Sequence, residues 1–260
     1  IRLTGEANDP KLIAPKSETD HTNNMKQWAQ TYVQGLRKVS LDGYVLKKDS
    51  PSCGLFRVRV YDGDTTYSRN GTGIFARALV TAFPLLPVEE EGRLHDPKLR
   101  ENFIERLFAY SRWRDLATSS PNVSSLIAFH SKHKSTLMAH HPRNQTTLGR
   151  IVAHAKKQTL HRSLDDYGIL FMTTMTYIAT TKKHANVLHH LMGFLKNHLS
   201  SNDKLEMLEL IEQYRIQQVP LIVPLTLLNH HLRKYPVPDW IKDQTYLNPY
   251  PKELSLRNHV

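Results

Sequence analysis

Residues 43–54, Gly43-Tyr44-Val45-Leu46-Lys47-Lys48-Asp49-Ser50-Pro51-Ser52-Cys53-Gly54, read as a short strand running out into a loop of turn formers. Downstream, Arg57-Val58-Arg59-Val60-Tyr61 alternates polar and apolar as a half-buried strand does. Asp62-Gly63-Asp64 is a turn, and 65–72 is a polar, glycine-bearing loop. Residues 74–83 read as a helix and 85–88 as a short terminal strand. Upstream, Asp20 or Thr22 caps a helix running to about Lys38, with Met25, Trp28, Ala29, Tyr32, Val33 and Leu36 on its apolar face. Helix, strand, strand, helix, strand is the order of an α/β sheet, here a partial three-layer, Rossmann-like unit.

From Asp96 the pattern changes. Asp96-Pro97 opens a long helix by the cap-then-proline rule. After the break at Ser119-Ser120-Pro121, helical periodicity dominates to about Tyr235, with helices expected near 122–139, 145–157, 164–180, 184–199, 201–217 and 221–234. The expected organisation is an α/β domain over 1–93 followed by an all-α domain over 94–260, with a connecting helix near 96–118.

The chain has 260 residues, a formal net charge of +11, one cysteine and 15 histidines. One cysteine excludes an intramolecular disulfide and a self-contained four-cysteine metal site, and it suits a cytoplasmic protein. No stretch approaches the roughly 20 apolar residues of a membrane helix, so no membrane partner is expected. The charge is concentrated. Residues 124–198 hold 10 Lys and Arg against only Asp165 and Asp166, whereas residues 1–123 hold 18 against 15 and residues 199–260 hold 7 against 7. Such a block suits a polyanion, above all nucleic acid, or else a soluble surface with no partner.

Three constellations carry possible chemistry. Cys53 reads either as a buried small hydrophobe or as a functional thiol. The functional reading is favoured by its place after a strand, by Gly54, which lets the backbone approach a ligand, and by Lys47 and Lys48, which favour the thiolate. Gly71-Thr72-Gly73 opens a helix whose N–H groups either face an anion or simply complete a tight turn. In the basic block, Lys132, Lys134, Arg143, Arg150, Lys156, Lys157, Lys182, Lys183 and His184 lie on or beside helices, as backbone-phosphate contacts do. The histidine pairs lack HExxH spacing or a carboxylate at ligand distance, so they point to hydrogen bonding rather than a metal.

Leu46-Lys47-Lys48-Asp49-Ser50-Pro51-Ser52-Cys53-Gly54, Gly71-Thr72-Gly73 and Leu86-Pro87-Val88-Glu89-Glu90 together resemble the TudS-like thiouracil desulfidases over roughly residues 1–93. Residues 94–257 resemble the YbgA-like helical domain. The similar stretches are Phe129-His130-Ser131-Lys132-His133-Lys134, Lys183-His184-Ala185-Asn186-Val187-Leu188, Pro220-Leu221-Ile222-Val223-Pro224-Leu225-Thr226 and Asn248-Pro249-Tyr250-Pro251. The pair looks like the fused desulfidases called RudS, associated with converting 4-thiouridine in tRNA to uridine. The resemblance implies a 4Fe–4S cluster on three cysteines, whose open iron binds the thiocarbonyl sulfur while water attacks the carbon. Cys53 matches the third ligand, and Ser50 matches a serine that positions substrate or relays a proton. The other two cysteines, one in a Cys-Pro-Glu motif with a catalytic Glu, fall upstream of Ile1. This chain is thus expected to be a truncated desulfidase or part of a longer one, inactive alone. The expected function is desulfidation of tRNA thiouridine, with the helical domain gripping tRNA. The rivals are a non-catalytic RNA-binding scaffold and a desulfidase of free thiouracil.

Overall fold

A computed structural model describes residues 1–259. The chain divides into two compact units, Ile1–Asp96 and the residues from Pro97 onward.

The first unit is a small mixed α/β fold. Its strands are β1 (Arg2–Thr4), β2 (Lys11–Ala14) and β3 (Thr19–Asp20), followed by helix α1 (Thr22–Leu36) and strand β4 (Tyr44–Leu46). Strands β5 (Val58–Asp62) and β6 (Thr66–Gly71), helix α2 (Ile74–Ala82) and strand β7 (Val88–Glu90) complete it. Five strands form one sheet in the order β3-β2-β1-β5-β6, in which only β1 and β5 run parallel. The remaining pair, β4 and β7, is a separate parallel ribbon. The alternation in β5 decides its faces. Val58 and Val60 are buried with Leu3, Leu12 and Ile74, each such side chain contributing about 1.5–3 kcal/mol, while Arg59 faces out over the Tyr67 ring.

Two expectations are corrected here. Residues 65–72 are not a loop: Thr66–Gly71 pair antiparallel with β5 across the turn at Gly63, whose φ of +79° suits glycine. The strand shows no apolar alternation because five of its six residues are exposed and only the backbone ladder holds it. The terminal strand is also displaced, starting at Val88 because the stretch before it, through Pro87, forms a turn.

The second unit is all helical among the described residues. Its helices are α3 (Pro97–Thr118), α4 (Val123–His140), α5 (Pro142–His154), α6 (Leu160–Met175), α7 (Thr181–Met192), α8 (Ser201–Arg215), α9 (Ile222–Lys234) and the one-turn α10 (Asp239–Lys242). Side chains set several starts. Asn122 and Ser125 form a reciprocal capping box, as do Ser200 and Asp203. His141 accepts from the Asn144 N–H at 3.1 Å with Pro142 in the first position, so α5 begins three residues earlier than periodicity suggests. The core joins α7, α8 and α9 through Val187, Leu188, Leu191, Ile211, Leu225 and Leu228. Trp113, Phe129, Tyr167 and Phe171 form a second, aromatic cluster. Gly168 makes room for it, since a Cβ there would lie 2.6 Å from Trp113 Cζ2. No described helix is long and apolar enough to cross a membrane.

Candidate active site

Cys53 is half-buried, at the end of the loop that leaves β4. The loop is fixed from three directions. Within it, Ser50 Oγ accepts from the Cys53 N–H at 3.1 Å and from the Ser52 N–H at 3.4 Å, and the Ser50 carbonyl accepts from the Gly54 N–H at 2.8 Å. Asp49 takes a positive φ of 55°, which the short Asp side chain tolerates better than most. The direct hydroxyl neighbour of the sulfur is Ser52, at 3.3 Å from Cys53 Sγ and 3.1 Å from Ser50 Oγ. Ser50, Ser52 and Cys53 thus form a hydroxyl–hydroxyl–thiol chain that can carry a proton to or from sulfur. Ser52 was absent from the residues singled out by sequence, although it sits inside the quoted motif.

The second support is α2. Its first amides point at the cysteine loop: Ile74 N–H donates to Pro51 O at 3.3 Å, Phe75 N–H to Ser52 O at 2.9 Å and Ala76 N–H to Ser52 O at 3.1 Å. These are the donors an anion would need, so the Gly71-Thr72-Gly73 turn caps the loop. Gly73 is required sterically, because a Cβ there would lie 2.3 Å from Ser52 O and 2.8 Å from Cys53 N. Gly54 likewise accommodates its own loop, with Ser50 O at 2.8 Å and Val58 Cγ2 at 2.4 Å from a Cβ position, and not a ligand. Replacing Gly73 with Ala is expected to displace the loop, cost about 1–3 kcal/mol and speed alkylation of Cys53. Thermal unfolding and thiol-labelling rates would read both effects, and unchanged values would show that the loop is not held there.

The third support is a row of carboxylates at the end of β7. Glu90 is buried, and its Oε1 accepts from Leu55 N–H at 2.8 Å and Phe56 N–H at 3.1 Å, pinning the exit of the loop. Glu91 Oε2 accepts from Lys48 N–H at 2.7 Å, pinning its entrance. Glu89 is held by Arg93 at 2.8 Å. Sequence left these acids as part of a motif with no assigned work. The available signal is that Glu is rarely fully buried without a partner, and two adjacent ones end a buried strand.

An aromatic cluster adjoins the loop through Phe75. Its ring lies 5.5 Å from Trp28, 5.6 Å from Tyr32 and 5.8 Å from Tyr44. Burial, then the hydrogen bond and charge of Tyr32, then the nearby Cys53 sulfur push the Tyr44 hydroxyl up to about 12. A cavity of about 540 Å³ between α1 and α2 is lined by Ala29, Val33, Ile74 and Arg77, and Cys53 does not reach it.

In the helical unit, Lys132, Lys134, Arg143, Arg150, Lys156, Lys157 and Lys182 are exposed and held in no ion pair among the described residues. The two acids of the block are occupied elsewhere, Asp165 by His161 and Asp166 by Arg162. Arg143 and Arg150, seven residues apart on α5, share a face. Lys183 and His184 differ from the surface cations expected. Lys183 Nζ donates to the His140 carbonyl at 2.6 Å, and His184 is buried, with Nδ1 2.9 Å from Tyr246 Oη. On the first turn of α7 they point into the helix packing, which periodicity alone does not reveal.

With this geometry in view, the comparisons assign each unit. Residues 1–91 match the model of the 2-thiouracil desulfurase family, and residues 134–251 match that of a family described as a protein of unknown function, DUF1722. The chain carries a 2-thiouracil desulfurase domain followed by a DUF1722 domain, and a sulfur-removing role for the first follows from its family. A curated relative, the "Uncharacterized protein YbgA" of Escherichia coli (strain K12), is 28% identical over 159 residues, covering 61% of this chain and 94% of that protein. No solved structure matches.

A cluster on three cysteines does not fit the donors described. The chain offers one thiol, Cys53, and no group of three or more His, Cys, Asp or Glu among the described residues could hold a metal ion. Cys53 has the fixed loop and partial exposure of a single ligand, which leaves the set incomplete.

Proposed function

We propose that this protein removes sulfur from thiouridine in tRNA, exchanging the thiocarbonyl sulfur for the oxygen of water and releasing hydrogen sulfide. The observation that carries the reading is the Cys53 loop of the desulfurase domain, tied down by Ser50, by the first amides of α2 and by Glu90 and Glu91. Cys53, the one thiol of the sequence, stands at the centre of that loop, where the sulfur chemistry is assigned. Ser52, in contact with that sulfur, steadies the thiolate or returns its proton, and Ser50 acts through Ser52.

The helical unit holds the RNA through phosphate contacts. Support comes from seven exposed cations, held in no ion pair among the described residues, in a segment of net charge +8. Contacts of this kind fix register without reading bases. Replacing Arg143 and Arg150 together with Ala is expected to weaken tRNA binding about tenfold and to lower the slope of log affinity against log salt by about 1–2. Unchanged affinity and slope would remove this face from the RNA interface.

The name of the matched family favours a second reading, in which the substrate is free 2-thiouracil. The test offers both. The protein, reconstituted with iron and sulfide, is incubated with tRNA containing 4-thiouridine or with 2-thiouracil, and nucleosides are followed by chromatography. Faster turnover of tRNA is the expected result. Turnover of the free base alone would transfer the activity to the second reading, and turnover of neither would leave an RNA-binding scaffold.

A further inference from the structure

Residues 220–226 and 248–251, two of the stretches that resemble the YbgA-like domain, meet along one cavity of about 200 Å³ in the helical unit. Ile222, Leu225 and Thr226 line it from the first stretch, and Asn248, Pro249 and Tyr250 from the second. The helix wall is a single stripe of α9. Ile222, Thr226, Asn229 and Arg233 succeed one another at steps of three or four residues, the spacing of one helix face, and all four line the cavity.

The other wall is the chain beyond α10. Buried Tyr246, Leu247 and Tyr250 anchor it, and Arg257 Nη1 donates to the Tyr246 carbonyl at 2.6 Å, folding the segment back on itself. Arg257 is 5% exposed, and its guanidinium carbon lies 5.0 Å from the Tyr246 ring and 5.9 Å from that of Tyr250. Its Nε–H is buried and makes no hydrogen bond among the described residues. Arg257 belongs to a buried polar centre with two acids of α3. Tyr250 Oη donates to Glu101 Oε1 at 2.8 Å, and Glu105 Oε2 is 3.0 Å from His140 Nε2. Burial opposes the charge on Arg257, and Glu105, Tyr246 and then Glu101 outweigh it. Burial, followed by the charge of Glu105, pushes Glu101 up to about 7. Neither acid lines the cavity.

The polar lining has one sign. Arg233, Lys252 and Arg257 bring three cations to the cavity, and no Asp or Glu lines it among the described residues. Arg233 and Lys252 are exposed and held in no ion pair among the described residues. The side-chain amides of Asn229, Asn248 and Asn258 add donors that make no hydrogen bond among the described residues. Buried Leu225 and Leu247 complete the lining, so a charge held there is screened less than on open surface. We propose that the cavity between α9 and the C-terminal segment binds a phosphate group, with Arg233, Lys252 and Arg257 supplying charge and the three asparagine amides supplying further donors. A phosphate monoester, with a charge of about −1.5 to −2 and three acceptor oxygens, matches this lining better than a carboxylate, which answers one cation.

The site is tested on the full chain by calorimetric titration with inorganic phosphate at neutral pH and low salt. Arg233→Ala removes an exposed cation and is expected to weaken phosphate about tenfold. Asn229→Asp keeps the shape of the wall but sets a carboxylate in it, and is expected to weaken phosphate further still. Arg257 is left in place, since its loss would strip the buried acids of a partner. Lys196→Ala removes an exposed cation outside the cavity and is expected to leave the affinity as it is. Thermal melts of each variant confirm that it is folded. A 5′-phosphorylated oligoribonucleotide and its unphosphorylated form distinguish the source. A preference for the phosphorylated form, competed by inorganic phosphate, assigns the site to an RNA end, and equal competition by both assigns it to backbone phosphate. Phosphate binding with competition by neither assigns it to a small phosphate compound. Absence of phosphate binding to millimolar concentrations, binding that neither Arg233→Ala nor Asn229→Asp changes, or an equal loss in Lys196→Ala overturns the proposal. None of these outcomes depends on desulfidase activity.

Discussion

Acidification from pH 6.5 to pH 4.5 is expected to destabilise the helical unit strongly, well above the pH at which ordinary acid denaturation of carboxylates sets in. The cause is the state of its buried histidines. Burial holds His133 and His184 down at about 3, and burial with the nearby Lys134 holds His130 at about 4. In the unfolded chain each returns to its ordinary value near 6.5 and takes up a proton that the folded state refuses. A depressed histidine therefore stabilises the fold above about pH 6.5, and the contribution drains away as the pH falls toward the folded value. Glu101 acts in the opposite sense: held at about 7, it is already protonated in the fold and stabilises it as the pH falls toward 4.5.

The balance is three protons gained by the unfolded state against one by the folded state, or about 2.7 kcal/mol for each pH unit. Over the 1.5 units below pH 6 the loss is about 4 kcal/mol, a large part of the 5–15 kcal/mol typical of a domain. Glu105, held at about 2 by His140 against its burial, withdraws its own contribution only below about pH 4.5. Far-UV circular dichroism followed through thermal melts at pH 7, 6, 5 and 4.5 reads the effect directly. A melting temperature that stays level to pH 5 would show that these histidines are not buried neutral.

Much of the plan was legible in the residues themselves. The change at Asp96 to helical periodicity and the turn-rich loop around Cys53 each act over a few positions, and local rules capture local causes. Strand β6 was not legible because its side chains are nearly all exposed and leave no apolar alternation. The work of Glu90 was hidden for a different reason. Its partners, Leu55 and Phe56, are 35 and 34 residues away, and a carboxylate that binds backbone amides leaves no mark on its partners' identities.

The basic block shows the same division. Its total charge is a property of the sequence, but which cations face water is a property of packing. Arg143 and Arg150 are exposed, whereas Lys183 and His184 are turned inward by contacts with His140 and Tyr246. Glu101, Glu105 and Arg257 were not singled out because the centre they form joins positions up to 156 apart in the chain.

The central claim is that the sulfur chemistry passes through Cys53 and the hydroxyls bound to it. Cys53→Ala removes the one thiol of this chain while leaving the backbone amide that Ser50 holds, so the loop should survive the change. The loss is of a donor rather than of a contact, and it is expected to be complete. Ser52→Ala, which removes the hydroxyl 3.3 Å from the sulfur, is expected to slow turnover by about 10²–10⁴-fold if that hydroxyl carries the proton. The most direct measurement is the rate at which 4-thiouridine disappears from tRNA with the reconstituted wild-type protein and with Cys53→Ala, both confirmed as folded by their melts. Conversion to uridine by the wild type with none by Cys53→Ala is the predicted result, and equal conversion by both would contradict it.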